Sequence, residues 1–321
     1  MTGAASHLGG WALQGMEIAK DEEGFEYVIQ DDQCQGQAAI NSFNVLKENR
    51  FILGPLCNAA SIPASKLAEE EHVVMITVGV STRAIREAGD FSFTILPSIG
   101  LQTKALAEHM EDKGIGSVSI VYVNDEYGVE NKETFENAYR GNILNAEAFD
   151  RSNADFRGIL AKIKNDGSQA VVLVGYSPNF INIISQMKEL DVGKGVFSVS
   201  NIQDTAIVAA TGNLTEGIIY TYPQISGSEE FTVFLDKYNK KFGKSEASLP
   251  MYVGAGYDAA KIMAGAVRKC GKNTECVKDE LLEVKGYRGV NGIISIDENG
   301  NSRMPIELRI VRNGAFMKYE G

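Results

Sequence analysis

Two short segments of this 321-residue sequence carry residue types suited to holding a small anion. Ile52-Leu-Gly-Pro-Leu-Cys-Asn58-Ala-Ala-Ser61 runs from an apolar strand-like stretch through a turn into a helical period. Met75-Ile-Thr-Val-Gly79-Val80-Ser81-Thr82 does the same one unit later. In open α/β sheets, ligands bind at such carboxyl ends of strands, beside helix N-termini. Exposed backbone N–H groups at Gly79 and Val80, with the side chains of Asn58 and Ser81, would suit a carboxylate through charge-assisted bonds. The competing expectation is that Asn58, Ser81 and Thr82 only cap their own helices. Pattern alone weighs the two equally.

Other chemistries find less support. Gly254-Ala-Gly256-Tyr-Asp-Ala259 matches a loose dinucleotide pattern but sits within a helical period running to Lys269, so a helix–helix contact is expected there. Gly243-Lys244-Ser245 ends like a phosphate loop, yet Tyr238 stands where the opening glycine belongs, and a surface turn is expected. The three histidines, His7, His72 and His109, have no second ligand at helical spacing, so no metal is expected. There is no Gly-x-Ser-x-Gly elbow and no cysteine in a plausible catalytic setting. No cofactor and no enzymatic activity are expected. A hydrolase or oxidoreductase on a related scaffold would need a nucleophile or cofactor fingerprint that the sequence does not display.

Composition bounds the partners. The formal charge is −11 with no basic cluster, which argues against nucleic acid and anionic membrane surfaces. No window approaches the eighteen or so apolar residues of a membrane span. The four cysteines fall into two groups, Cys34 with Cys57 and Cys270 with Cys276, without the spacing of zinc or redox motifs. Two short-range disulfides in an oxidising compartment fit, and four buried free thiols are the alternative.

Short β-branched runs alternating with amphipathic stretches must position these residues. Strands are expected at Phe25–Gln30, Arg50–Pro55, Val73–Thr77, Phe91–Leu96, Ser117–Val123 and Ala170–Gly175. Helices are expected at 36–48, 61–71, 130–139, 156–165, 179–190, 229–242 and 252–269. Uniformly apolar strands between helices call for parallel sheets covered on both faces. The elements exceed one such sheet, and breaks near Leu96–Gly100 and Tyr222–Gly227 divide them. The expected fold is α/β, with two doubly wound parallel-sheet lobes. One comprises residues 1–97 plus 226–292, the other 98–225 plus 293–321. Asp297-Glu-Asn-Gly300 is a strong hairpin-turn signal in the tail.

The chain resembles the branched-chain amino-acid (Leu/Ile/Val) type of periplasmic substrate-binding proteins, receptors of ABC importers with the type I periplasmic binding fold. The resemblance runs nearly the whole length. Its markers are Thr2-Gly3 with Gly9, Asp31-Asp-Gln-Cys34, Gly54-Pro-Leu-Cys57, Tyr127-Gly128, Asp155-Phe156, Glu216-Gly217, Gly256-Tyr-Asp258 and Tyr287-Arg-Gly289-Val-Asn-Gly292 with Asp297-Glu-Asn-Gly300. It implies a three-strand hinge, closure of the lobes on ligand, and a Cys34–Cys57 disulfide. It also implies a periplasmic or otherwise extracytoplasmic monomer that hands its ligand to a membrane permease. The ligand carboxylate would meet Asn58, Ser81 and the backbone at Gly79 and Val80. Tyr127 and Tyr176 would close over the ligand, and a loop bearing His7, Leu8 and Trp11 would line the mouth. For Trp11, a lid role and a buried packing role are equally expected.

Two departures matter. Where branched-chain binders carry an acid for the ligand ammonium, the stretch here is Ser198-Val-Ser-Asn201-Ile-Gln-Asp204. Either Asp204 supplies the charge, or the ligand is a carboxylate, amide or aromatic acid other than an ordinary α-amino acid, because a desolvated ammonium without a partner is costly. The second departure is the start. The resemblance implies an apolar strand before Thr2, so a truncated or mis-assigned N-terminus, lacking also the secretion leader, is expected over a neighbouring segment moving into the gap. A same-fold sensing module that feeds a regulator or receptor is the alternative to transport.

Overall fold

The computed structural model describes residues 2, 6–79, 82–224, 228–243 and 251–321. Val80, Ser81 and most of the turn expected at Gly243-Lys244-Ser245 lie outside the described residues. The chain divides into two compact units, Met1–Ser98 with Gln224–Pro305, and Ile99–Pro223 with Ile306–Gly321. It therefore passes from one unit to the other three times.

The first unit begins with α1 (Ser6–Glu23), α2 (Gly36–Leu46), β1 (Phe51–Leu53), α3 (Asn58–Glu70), β2 (Val74–Thr77), α4 (Arg83–Arg86) and β3 (Ser92–Thr94). Strands β1, β2 and β3 form a parallel sheet in that order. Every residue of β2 is buried, as expected of a strand with helices on both faces. Two expectations need correction here. Phe25–Gln30 is not a strand, because no described neighbour pairs with it. The segment carrying His7, Leu8 and Trp11 is not a loop but the first turns of α1.

The second unit contains α5 (Ile99–Asp112), β4 (Ser117–Val123), α6 (Glu126–Ala138), β5 (Asn142–Phe149), α7 (Arg157–Lys164), β6 (Ala170–Val174), α8 (Ser177–Glu189), β7 (Gly195–Ser198), α9 (Thr205–Thr211) and β8 (Ile219–Pro223). The chain then returns to the first unit for α10 (Glu229–Phe242), α11 (Met251–Cys270), α12 (Thr274–Leu282), β9 (Tyr287–Gly289), β10 (Gly292–Ile296) and β11 (Ser302–Arg303). It ends in the second unit with β12 (Ile306–Arg312) and β13 (Ala315–Lys318). The second sheet has seven strands in the order β13-β12-β8-β7-β6-β4-β5, parallel from β8 to β5, with β12 and β13 antiparallel at one side. Leu106, Met110, Phe135 and Phe197 pack against Val118, Ile120 and Val172 to form its core.

The last boundary between the units also shifts from the sequence reading. Residues 293–305, expected in the second lobe, belong to the first unit. The turn at Asp297-Glu-Asn-Gly300 folds β11 back onto β10. Thr94 N then donates to Gly300 O at 3.0 Å, and Ser302 N donates to Thr94 Oγ1 at 3.2 Å. These bonds hold the chain beside β3 until Pro305.

Gly256 does join two helices, as its spacing suggested, whereas Gly254 instead faces the side chain of Asn291, whose Oδ1 would lie 2.1 Å from a Cβ there. A Cβ on Gly256 would lie 2.0 Å from Ala12 O, and one on Gly15 would lie 1.9 Å from Val253 O. Only glycine at both positions lets α1 and α11 approach this closely. Both cysteine pairs are disulfides, Cys34–Cys57 and Cys270–Cys276.

Candidate functional site

In the first unit, β1 ends at Leu53 and the chain reaches α3 through Gly54-Pro-Leu-Cys57. The disulfide from Cys57 to Cys34 ties this turn to the start of α2. Cys57 is the N-cap of α3, without a side-chain cap bond, so Asn58 occupies the first helical position and does not cap the helix. Its Oδ1 is buried with no hydrogen-bond partner among the described residues. Thr82, N-cap of α4, likewise makes no cap bond through its side chain, and its Oγ1 is buried without such a partner. For Asn58 and Thr82 the capping alternative fails. A buried acceptor left unpaired costs about 1–3 kcal/mol, so a ligand that pairs it gains that much in differential stability. At the turn after β2, Gly79 is required sterically. A Cβ there would lie 2.5 Å from Leu56 O, so the turns after β1 and β2 touch through it.

Leu8 is half-buried in α1. Trp11 packs beside the cluster of Ile18, Phe234, Tyr238, Val253 and Val290, an observed packing role.

In the second unit, the carboxyl ends of four adjacent parallel strands bring a polar and aromatic group together. Tyr127 follows β4 and Tyr176 follows β6, and their rings lie 5.6 Å apart, tilted by 32°. Tyr176 Oη donates to Asp125 Oδ2 at 3.0 Å. Asp125 Oδ1 in turn caps α6 by accepting from Gly128 N at 3.0 Å. Gly128 permits this turn, since a Cβ would meet Val123 O at 1.8 Å. Arg151, just beyond β5, sets its guanidinium over the Tyr176 ring, 4.1 Å from the centroid. Asn179 holds that loop by donating from Nδ2 to Arg151 O at 3.0 Å. Asn201, after β7, donates from Nδ2 to Gly175 O at 3.3 Å.

Asp204 is already engaged within the fold. Its Oδ1 caps α9 by accepting from Ala206 N at 2.8 Å, and its Oδ2 accepts from the Ser177 hydroxyl. Sequence reasoning missed Asp125 and Arg151. Asp125 could have been found from its place directly before a helix and three residues before Gly128. Arg151 could not, because the alternating edge strand β5 that delivers it lacks an apolar run. Among the described residues, no group of His, Cys, Asp and Glu could hold a metal ion.

Two α/β units, each with polar groups gathered at the carboxyl ends of parallel strands, define a ligand-binding class of protein. Residues 18–311 match the family model described as the receptor family ligand binding region, and the chain belongs to that family. Its fold is that of the type I periplasmic binding proteins. The leucine-, isoleucine-, valine-, threonine- and alanine-binding protein of Pseudomonas aeruginosa is 24% identical over 290 residues, 86% of this chain and 75% of that protein. The leucine-specific-binding protein of Salmonella typhimurium is 22% identical over 289 residues, 87% of this chain and 76% of that protein. Among solved structures, a leucine-binding protein of Thermotoga maritima superposes with a TM-score of 0.90 at 23% identity, covering 99% of this chain and 95% of the other. A solute-binding protein of Rhodopseudomonas palustris in complex with benzoate gives 0.86 at 16% identity, covering 99% and 92%. These relatives are named for the solutes they bind. No helix among the described residues is long and apolar enough to cross a membrane.

Proposed function

We propose that this chain is an extracytoplasmic solute receptor of an ABC importer that binds an amino acid or similar small carboxylate. The observation that carries the reading is Asn58. Its buried amide oxygen has no hydrogen-bond partner among the described residues, at the N-terminus of α3 where backbone N–H groups and a helix dipole also favour an anion. The ligand carboxylate is assigned to this first-unit turn, with Gly79, Val80 and Ser81 as further contacts. Tyr127 and Tyr176 contribute an aromatic face from the second unit. Closure about the three chain crossings is the mode of capture, and a permease in the membrane is the partner. The names of the Pseudomonas and Salmonella relatives support branched-chain and small aliphatic amino acids as the first candidates.

A second reading has its own support. Asp204 is occupied as a cap and Asn201 is neutral, while Arg151 has no carboxylate partner among the described residues and rests on Tyr176. That balance favours a ligand without a free ammonium, such as an aromatic acid of the kind bound by the Rhodopseudomonas palustris proteins. A thermal-shift screen of the twenty amino acids, benzoate and hydroxybenzoates separates the two. Ligand at a hundredfold excess over Kd stabilises by about 2.7 kcal/mol. A response to aliphatic amino acids alone supports the first reading and one to benzoates alone the second. Silence across the whole panel overturns both.

A further inference from the structure

At the carboxyl ends of its strands, the second unit presents a cation without a counter-ion. Arg151 forms no ion pair, and its guanidinium no hydrogen bond, with any described residue. Neither Asp150, its neighbour in sequence, nor Asp125, bonded to the Tyr176 hydroxyl, pairs with it. The chain has 42 Asp and Glu against 31 Lys and Arg, so an arginine left without a carboxylate stands apart. Arg157, at the start of α7, shows the usual outcome, pairing with Asp155 at 3.1 Å and Glu189 at 2.7 Å.

Arg151 is also held at both ends. Asn179, 2% exposed, donates from Nδ2 to Arg151 O at 3.0 Å and to Asn153 O at 3.4 Å. Gln186, 6% exposed, accepts from Phe156 N at 2.7 Å and donates to Ala154 O at 2.8 Å. Two amide side chains of α8 thus fix the loop between β5 and α7, through donors that would otherwise be buried unpaired. The guanidinium lies 4.1 Å from the Tyr176 ring centroid, and Asp125 anchors that ring through its hydroxyl. A ring attracts the cation by its π face and engages none of the N–H donors, which stay available to an acceptor.

The groups that would meet a ligand ammonium are in the opposite condition. Asp125 accepts from Gly128 N and the Tyr176 hydroxyl, and Asp204 from Ala206 N and the Ser177 hydroxyl. Asn201 is neutral and already donates to Gly175 O.

We propose that Arg151 is a specificity-determining residue that takes a second carboxylate of the ligand, so that the substrates are small dicarboxylates without an ammonium group. This rests on the reading that Tyr127 and Tyr176 face the ligand and that Asn58 takes its first carboxylate. The planar guanidinium fork matches a carboxylate with two parallel bonds, which neither an aromatic face nor a lysine reproduces.

The test is calorimetry on the full chain with succinate, glutarate, adipate and terephthalate, each beside its monoamide, which keeps the shape and removes one charge. The best diacid should bind about tenfold or more tightly than its monoamide, as expected of a charge-assisted pair. In Arg151→Gln that ratio should fall to about one, and Arg151→Lys, which keeps the charge without the fork, should retain part of it. A ratio near one in the unaltered chain overturns the proposal, as does a ratio that survives Arg151→Gln. If Arg151→Gln weakens diacid and monoamide alike, Arg151 holds the only carboxylate and the dicarboxylate class falls. Glutamate binding as tightly as glutarate overturns the exclusion of an ammonium. In each of these cases the site still binds carboxylates, and the broader reading stands. If no diacid, monoamide or amino acid binds, that reading falls together with this one.

Discussion

The two units share an architecture and are held together differently. The second rests on a continuous sheet of seven strands, with β4 paired along its whole length to β5 and every residue of β6 buried. The first has three parallel strands of three or four residues and one edge open to a cavity. All four cysteines lie in the first unit, as two disulfides. Its longest packing contact joins α1 to α11 through Gly15 and Gly256. Where hydrogen-bonded ladders and two-sided burial are short, covalent links and close helix packing carry more of the stability.

That contrast can be broken by mutation, and the largest effects belong to the second unit. Phe135, 1% exposed in its core, should cost about 3–5 kcal/mol on replacement by alanine. Leu13→Ala, at a wall already facing that cavity, should cost about 1 kcal/mol, because it adds little new cavity. Urea unfolding of both variants checks the ranking, and equal losses would refute it. Lys194 pairs with Asp166 at 3.0 Å, with side chains only 10% and 8% exposed. Lys194→Met leaves the buried carboxylate without its cation and should cost about 3–5 kcal/mol.

The disulfides come next. Cys34–Cys57 closes a loop of 23 residues and Cys270–Cys276 one of 6. Chain entropy then predicts losses of about 3 and 2 kcal/mol for the paired serine variants. Because Trp11 is the only tryptophan and lies in the first unit, its fluorescence reads this loss directly. Binding effects are smaller. Asn58→Ala should weaken carboxylate binding by about 1–3 kcal/mol in calorimetry while leaving the melting temperature near its starting value. Asn201→Asp in the second unit should raise affinity for an amino acid and lower it for an aromatic acid.

The most diagnostic effect is in pH, since the units should respond to it with opposite slopes. Burial would raise Asp166, but hydrogen bonds from Ser119, Ser168 and Lys194 outweigh it and hold the carboxyl below its ordinary range. Below about pH 4 the unfolded chain binds this proton and the folded one does not, so the second unit loses stability as pH falls. Asp258 is the reverse. Complete burial pushes it up to about 7, against the N–H groups of Val290 and Asn291. Its folded form keeps a proton that the unfolded chain releases, so the first unit loses stability between about pH 4 and 7. Hydrogen exchange across this range should show both slopes, and Asp166→Asn and Asp258→Asn should each flatten only its own.

Legibility followed the same division. Ser117–Val123 and Glu229–Phe242 stand at the boundaries that their periodicity predicts, because apolar runs and capping residues are local signals. Phe25–Gln30 has an equally strand-like sequence and forms no strand, since a strand exists only by pairing. Residues 293–305 read as part of the tail but pair with β3 and β9, a contact that no local pattern announces.

At the binding groups, the residues themselves set much of the chemistry. Chain order and short motifs determined the two α/β units, the paired cysteines, the aromatic pair Tyr127 and Tyr176, and a family of solute binders. Which polar atoms are available was decided only by folding. Asn58 lacks a partner among the described residues because the N-cap of α3 is Cys57, one residue earlier, which puts Asn58 at the first helical position. Asp204 is occupied because Ser177, 27 positions away in sequence, meets it. Arg151 is held over Tyr176 by a strand whose sequence does not reveal it. Residue type specifies what a group can bind, whereas its desolvation and its neighbours, set by distant parts of the chain, determine whether it is free to do so.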